Sequence, residues 1–172
     1  MVARLMPHVP MDVDGWPSSL EKMREYQFVS PVFGAPVTYY IEAVDIMTTR
    51  LSEADLNRMA SVWHVYRQAP CAHGMRLTID SDTNLFERHD ASGHLQAKAI
   101  DQAALVSFTA DSIYVTSNST RALSIPITRA YTQAEKIYRD GRRELTSFFQ
   151  DGNTIVLNVL DAGTGILCYK IT

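Results

Sequence analysis

Two hydrophobic periods divide this chain. From Met75 onward apolar residues recur at every second position, the spacing of a strand with one covered face. MRLTID (75 to 80) sets Met75, Leu77 and Ile79 on one side, and NLFERHDASGHLQAKAI (84 to 100) reads as two strands joined at Asp90 to Gly93. ALVSFTADSIYVTS (104 to 117) reads as a hairpin turning at Ala110 to Ser112, and LSIPI (123 to 127) as a short strand that Pro126 assigns to a sheet edge. RELTSFFQDGNTIVLNVLDAGTGILCYKIT (143 to 172) reads as three strands, with a type I′ turn at Asp151-Gly152 and a looser one at Asp161 to Gly165.

The other period is helical, and it is strongest in LSEADLNRMASVWHVYRQAP (51 to 70). Ser52 is placed to cap, with Asp55 three residues on, and Pro70 marks the end, which predicts a helix over 52 to 69. Leu56, Met59, Ala60, Trp63 and Tyr66 fall on one broad face expected to be core, with Asn57, Ser61, His64 and Gln68 on the other. Two shorter helices are expected from capping-box spacings. Ser18 and Glu21 open one that should end near Tyr26, before the breakers of SPVFGAP; Thr132 and Glu135 open the other, with Gly141 as its stop. VTYYIEAVDIM (37 to 47) reads as a strand.

The fold expected from these elements is α+β: a curved antiparallel sheet of about seven to nine strands in meander and hairpins, with the main helix packed on one face and one or two short helices besides. Residues 1 to 17 mix prolines and acids with Val9, Met11, Val13 and Trp16. They read as an extended N-terminal arm leading into a single α+β domain over 18 to 172, a size that buries a core without staples.

A net charge of -3 argues against a main task of holding polyanions, so nucleic acid is a possible but disfavoured partner. Cys71 and Cys168 are far apart without a CxxC neighbour and read as free thiols of a reducing compartment. No apolar run reaches the roughly 18 to 20 residues of a membrane span, and MVARLMPHVPMDVDGW has no secretory core. The expected location is cytoplasmic, away from membranes, although a leaderless export route would leave no such mark.

WHVYRQAPCAHG (63 to 74) gathers two histidines and a cysteine around the end of the main helix. Cys71 and His73, in the turn after Pro70, are candidates for a nucleophile and its base, though at this spacing their side chains need a tertiary contact to meet; His64 is expected to face solvent. His89 and His94 flank DASG and are expected to face each other across a hairpin, which adds His89 to the catalytic candidates. Cys-x-His followed by His-x4-His matches no zinc spacing, so no metal and no cofactor are expected. DAGTG (161 to 165) resembles the phosphate-binding hairpin of the actin and sugar-kinase nucleotide fold. That resemblance covers five residues, and the segment is read as a glycine-rich turn.

Lys136, Arg139, Arg142 and Arg143 form the candidate binding surface, with Tyr131, Tyr138, Phe148 and Phe149 nearby; from Arg121 to Arg143 six basic residues stand against two acids. GxSxG, HExxH, Walker and GxGxxG patterns are missing. The functional expectation is a non-enzymatic binding protein of bacterial type, an inhibitor, immunity factor or adaptor that docks a protein partner through a sheet face or edge, with a homodimer as a further option. The rival is a small cofactor-free hydrolase, isomerase or nuclease, with Tyr39, Tyr40, Glu42 and Asp45 as further pocket residues.

Overall fold

A computed structural model describes residues 20–34, 52–72, 74–80 and 82–172, with side chains from Gln27 onward. The arm over 1 to 17, Ser18, the strand expected at 37 to 47 and His73 lie outside the described residues. The fold is α+β with antiparallel sheets, as expected. Helix α1 is Leu20–Phe33 and α2 is Glu53–Tyr66. The strands are β1 (Arg76–Asp80), β2 (Leu85–His89), β3 (Leu95–Ile100), β4 (Ala104–Phe108), β5 (Ile113–Ser117), β6 (Arg121–Pro126), β7 (Ala134–Tyr138), β8 (Arg143–Thr146), β9 (Phe149–Asp151), β10 (Thr154–Val159) and β11 (Ile166–Ile171). Eight pair in the order β1-β2-β3-β4-β5-β11-β7-β8, and three more as β6-β10-β9.

Alternation along β4 explains the layering. Ala104 and Val106 point to one face, into a core shared with Leu123 and Ile125 of β6 and Ile155, Leu157 and Val159 of β10. Leu105 points the other way, toward Phe28 and Val32 of α1 and Val62 and Val65 of α2. The large sheet is thus the middle layer, covered by helices on one face and by the small sheet on the other.

The chain after Ala130 departs from expectation. Residues 131 to 141 form no helix: Ala134–Tyr138 is β7, and Gly141, at φ 87°, turns the β7–β8 hairpin instead of stopping a helix. The Thr132–Glu135 spacing is a local cue, overridden when the Thr132 and Gln133 amides bond the Thr172 carbonyl at 2.9 and 3.0 Å and commit the segment to pairing with β11. RELTSFFQ then divides between the sheets, β8 closing the large one and β9 edging the small one. Asp151 still pairs with Thr154, so Gly152 (φ 52°) and Asn153 make the turn; the glycine is alone in having positive φ, which fits type II′ and not I′.

Both helices also differ in detail. Helix α1 passes Tyr26 and contains Pro31, which removes only the bond to the Gln27 carbonyl, while residues 27 to 32 are all buried and supply the compensating packing. The capping box of α2 is present, with Asp55 N–H donating to Ser52 Oγ at 3.2 Å. Its buried face is rotated from the expected one: Asp55, Ser61, Val62 and Val65 are buried, whereas Leu56 is 46% exposed and Trp63 half-buried. Ser61 tolerates the core because its hydroxyl meets Thr116 Oγ1 at 2.6 Å and donates to the Leu167 carbonyl.

One residue fastens the helical layer to the sheet. Arg88 of β2 is fully buried and donates to the carbonyls of Pro31, Val32 and Ala69, at the C-terminal ends of both helices. Replacing it by methionine keeps the volume but leaves three buried acceptors without their donor. Arg88→Met is therefore expected to lower unfolding free energy by about 3 kcal/mol. The midpoint should fall by roughly 6 to 12 °C for a chain of this length. An unchanged midpoint in thermal denaturation would show that these bonds contribute nothing net.

Candidate functional site

The region around Cys71 is built by the same arginine. Two residues beyond Ala69, the Cys71 thiol donates to the Phe33 carbonyl at 3.6 Å and lies beside the Arg88 guanidinium. Burial pushes its pKa up, and the opposing pull of Arg88 does not cancel that rise. A thiol held in its protonated form is a poor nucleophile. Cys168 is buried on β11 and pushed up to about 12, again by burial. The two cysteines are free. His64 is half-buried on α2, with its pKa lowered by burial and then by Arg67.

His89 and His94 do share a surface, but not as a facing pair. A register shift between Arg88 and His89 sets His89 opposite Leu95. The two rings line one cleft of about 620 Å³ with Asp90, Gln96, Phe108, Ile127, Arg129 and Tyr131, between the β2–β3 turn, the end of β4 and the segment that follows β6. His89 Nε2 stands 3.6 Å from Glu87 Oε2, and Lys98 Nζ holds the other Glu87 oxygen at 2.8 Å. His94 Nδ1 is 3.4 Å from Asp90 Oδ2. That carboxylate is already committed: its Oδ1 accepts the Ser92 and His94 amides at 2.8 and 2.9 Å, and these bonds, the His94 amide foremost, hold its pKa low. Arg129 lies over the Tyr131 ring, 4.9 Å from its centroid, and is 3.9 Å from Asp111. Among the described residues no group of three histidine, cysteine or acidic side chains is placed to hold a metal ion.

The basic residues sit on the β7–β8 hairpin, and each meets an intramolecular partner. Lys136 pairs with Glu144 at 3.1 Å and Arg143 with Glu135 at 3.2 Å. Arg142 stacks 3.6 Å above the Tyr138 ring and reaches Glu144 at 3.6 Å, while Arg139 donates to Asn57 Oδ1 at 2.6 Å. The Tyr138 hydroxyl donates to Glu144 Oε2 at 2.8 Å; this bond first, and the Lys136 bond after it, lower the Glu144 pKa, and the bond to Glu144 raises that of Lys136. The acid that takes two of these cations stands one residue beyond the run counted from the sequence.

DAGTG is occupied by its own chain. The Gly163 amide donates to Asp161 Oδ1 at 2.8 Å, and Arg58 of α2 grips the same carboxylate through Nε at 2.8 Å and Nη2 at 2.6 Å. A Cβ at Gly163 would stand 2.9 Å from Arg58 Nη2 and 3.1 Å from Ala54 Cβ. The glycine serves close packing against α2, and the amide a phosphate would need is already bonded.

Of the large apolar side chains among the described residues, two are the most exposed: Leu145, which the sequence reading left out of any site, and Phe149, which it placed only beside the basic run. Leu145 of β8 is 71% exposed and Phe149 of β9 is 65% exposed, on successive edge strands of the two sheets. Period-two patterning expects an apolar residue to be covered; the available signal was the single leucine of RELT, preceded by two charges, with no alternating apolar neighbour.

No family model, curated protein or solved structure matches the chain. The geometry defines a globular α+β unit, and no helix among the described residues is long and apolar enough to cross a membrane.

The thiols give a direct check. At pH 7.5 the folded protein is expected to react with a disulfide reagent at Cys71 more slowly than a free thiol, because a raised pKa shrinks the thiolate fraction. Cys168 should react only on unfolding. Rapid labelling of either at the free-thiol rate would contradict the buried, protonated assignment.

Proposed function

We propose that this protein is a non-enzymatic binding protein that docks a protein partner along the β8–β9 edge. The observation that carries this reading is the exposure of Leu145 and Phe149 where both sheets end. Proteins protect open edges with proline, bulges, short strands or outward charge. Here β6 ends in Pro126, and β9 and β8 are short, with three and four residues; β8 has no proline, and its charges are those of Arg143 and Glu144. Its charges are drawn into pairs with β7, so an incoming strand meets a neutralised edge with an apolar side chain at its centre. This is the geometry of strand addition, in which main-chain bonds give affinity and alternate side chains give selectivity.

A second reading is a small enzyme at the histidine cleft, favoured by the convergence of His89, His94 and Arg129 on one concavity. It ranks below the first because His89 stands at 3.6 Å from its carboxylate and Asp90 is engaged in its own turn.

The probe for the first reading is the synthetic peptide RRELTSFF, the chain's own residues 142 to 149. It is expected to shift the amide resonances of β8 on titration. Leu145→Lys should weaken its binding about tenfold, as expected for loss of a central apolar anchor. Shifts centred on the cleft, or none at all, would remove the edge from the account.

A further inference from the structure

The hairpin geometry fixes which main-chain groups of β8 are available. Tyr138 N–H donates to the Arg142 carbonyl at 2.9 Å, so that position is a hydrogen-bonded one, and such positions alternate along an antiparallel ladder. The register sets Ile137 opposite Arg143, Lys136 opposite Glu144, Glu135 opposite Leu145 and Ala134 opposite Thr146. Glu144 and Thr146 therefore direct their N–H and C=O groups at β7. Arg143 and Leu145 direct theirs away from the sheet, at its terminal edge.

We infer that the occupant of this edge is a second copy of the chain, its β8 antiparallel to the first with Leu145 opposite Leu145 across a two-fold axis. The inference rests on the edge-docking reading above and names its partner. Self-complementarity selects both partner and register. With Leu145 at the centre, the two leucines exchange main-chain bonds, each Arg143 lies opposite Ser147, and each Glu144 lies opposite Thr146, so no like charges meet. Shifting the centre to Glu144 sets two carboxylates face to face at a Cα separation of about 4.5 Å, and centring on Arg143 sets two guanidinium groups opposite each other at about 5.5 Å. A register centred between Glu144 and Leu145 places inward-directed groups opposite outward ones and forms no ladder. The Leu145-centred arrangement alone combines matched bonds, an apolar pair and no charge conflict. The two large sheets then run on as one, and neither leucine remains an isolated apolar side chain in water.

Sedimentation equilibrium of the full chain, loaded from about 10 µM to about 1 mM, is expected to show monomer giving way to dimer, as suits an interface smaller than standard size. Leu145→Lys should raise the dissociation constant about tenfold or more. Register is tested by oxidising Glu144→Cys and Thr146→Cys proteins separately and mixed, with linked peptides mapped by mass; circular dichroism melts confirm that both are folded. The mixture should yield a 144–146 cross-link, and neither protein alone should link through its new thiol. A self-linked Glu144→Cys dimer, or a dimer indifferent to Leu145→Lys, would overturn the inference. A chain that stays monomeric while RRELTSFF still binds β8 would overturn the second-copy inference and leave edge docking standing. A monomer that also ignores the peptide would remove both.

Discussion

A guanidinium without water organises this molecule. Stripping a charge of its hydration costs several kcal/mol, and burial accordingly lowers the Arg88 pKa, although an arginine remains protonated. What offsets that cost is the convergence of two helix ends. Pro31 and Val32 lie in the last turn of α1, at the negative pole of its dipole, and Arg88 donates to both of their carbonyls and to that of Ala69 in the turn that follows α2. The Tyr66 ring adds a face 6.0 Å from the guanidinium carbon. On the sheet, Ala97 and Ser107 follow Arg88 in one cross-strand row, and their small side chains leave room for the helix ends. Phase, row and helix termini all have to agree for this residue to be tolerated. Its position therefore fixes where the helical layer lies.

The far end of α2 is held by a second network. Asp55, 2% exposed, caps the helix with Ser52 and accepts from Arg58 Nη1 at 2.9 Å, and Arg58 passes on to Asp161 beyond β10. Between these ends Ser61 bonds Thr116 of β5. The helix is thus tied to the sheet at its start, middle and finish by polar contacts, each made by a residue type usually placed on the wet side. The β7–β8 hairpin lies beyond this clamp, joined to it through the Arg139–Asn57 bond. Within the hairpin β7 belongs to the core through Ala134, whereas β8 has no buried residue and is free to adapt to a partner without disturbing the core.

The sequence displayed what is local and concealed what is not. Hairpins from β1 to β5 follow from period two and glycine or polar turns, and the α2 cap follows from Ser52 and Asp55, because each depends on residues a few positions apart. The helix expected at 131 to 141 failed for the converse reason: its rival was a strand that begins some thirty residues later. The rotation of α2 was hidden because Asp55 and Ser61 look solvent-facing until Arg58, Thr116 and Leu167 are known. Arg88 was equally illegible, since nothing in LFERH announces two helix ends waiting above it. The histidines were found as candidates, but the bulge that separates His89 from His94 has no sequence signature. Leu145 went unassigned, and Phe149 was placed only beside the basic run, because an exposed apolar residue on an edge looks, in one dimension, like a core residue on a strand.

The contrast between cleft and edge decides how the molecule is best understood. In the cleft the groups with chemical potential are turned toward one another: Asp90 is held by the Ser92 and His94 amides, and Glu87 by Lys98. A catalytic site needs groups poised toward a substrate, with pKa values displaced to suit the task; here the displaced carboxylate is lowered by its own turn, which makes it a weaker base. At β8 the relation is reversed. The charges are paired within the hairpin, and beside them the strand offers main chain and an apolar side chain, groups that gain free energy when another strand arrives. A surface arranged in that way is suited to association, and the same pairs that quiet its charges also restrict which strand can add to it.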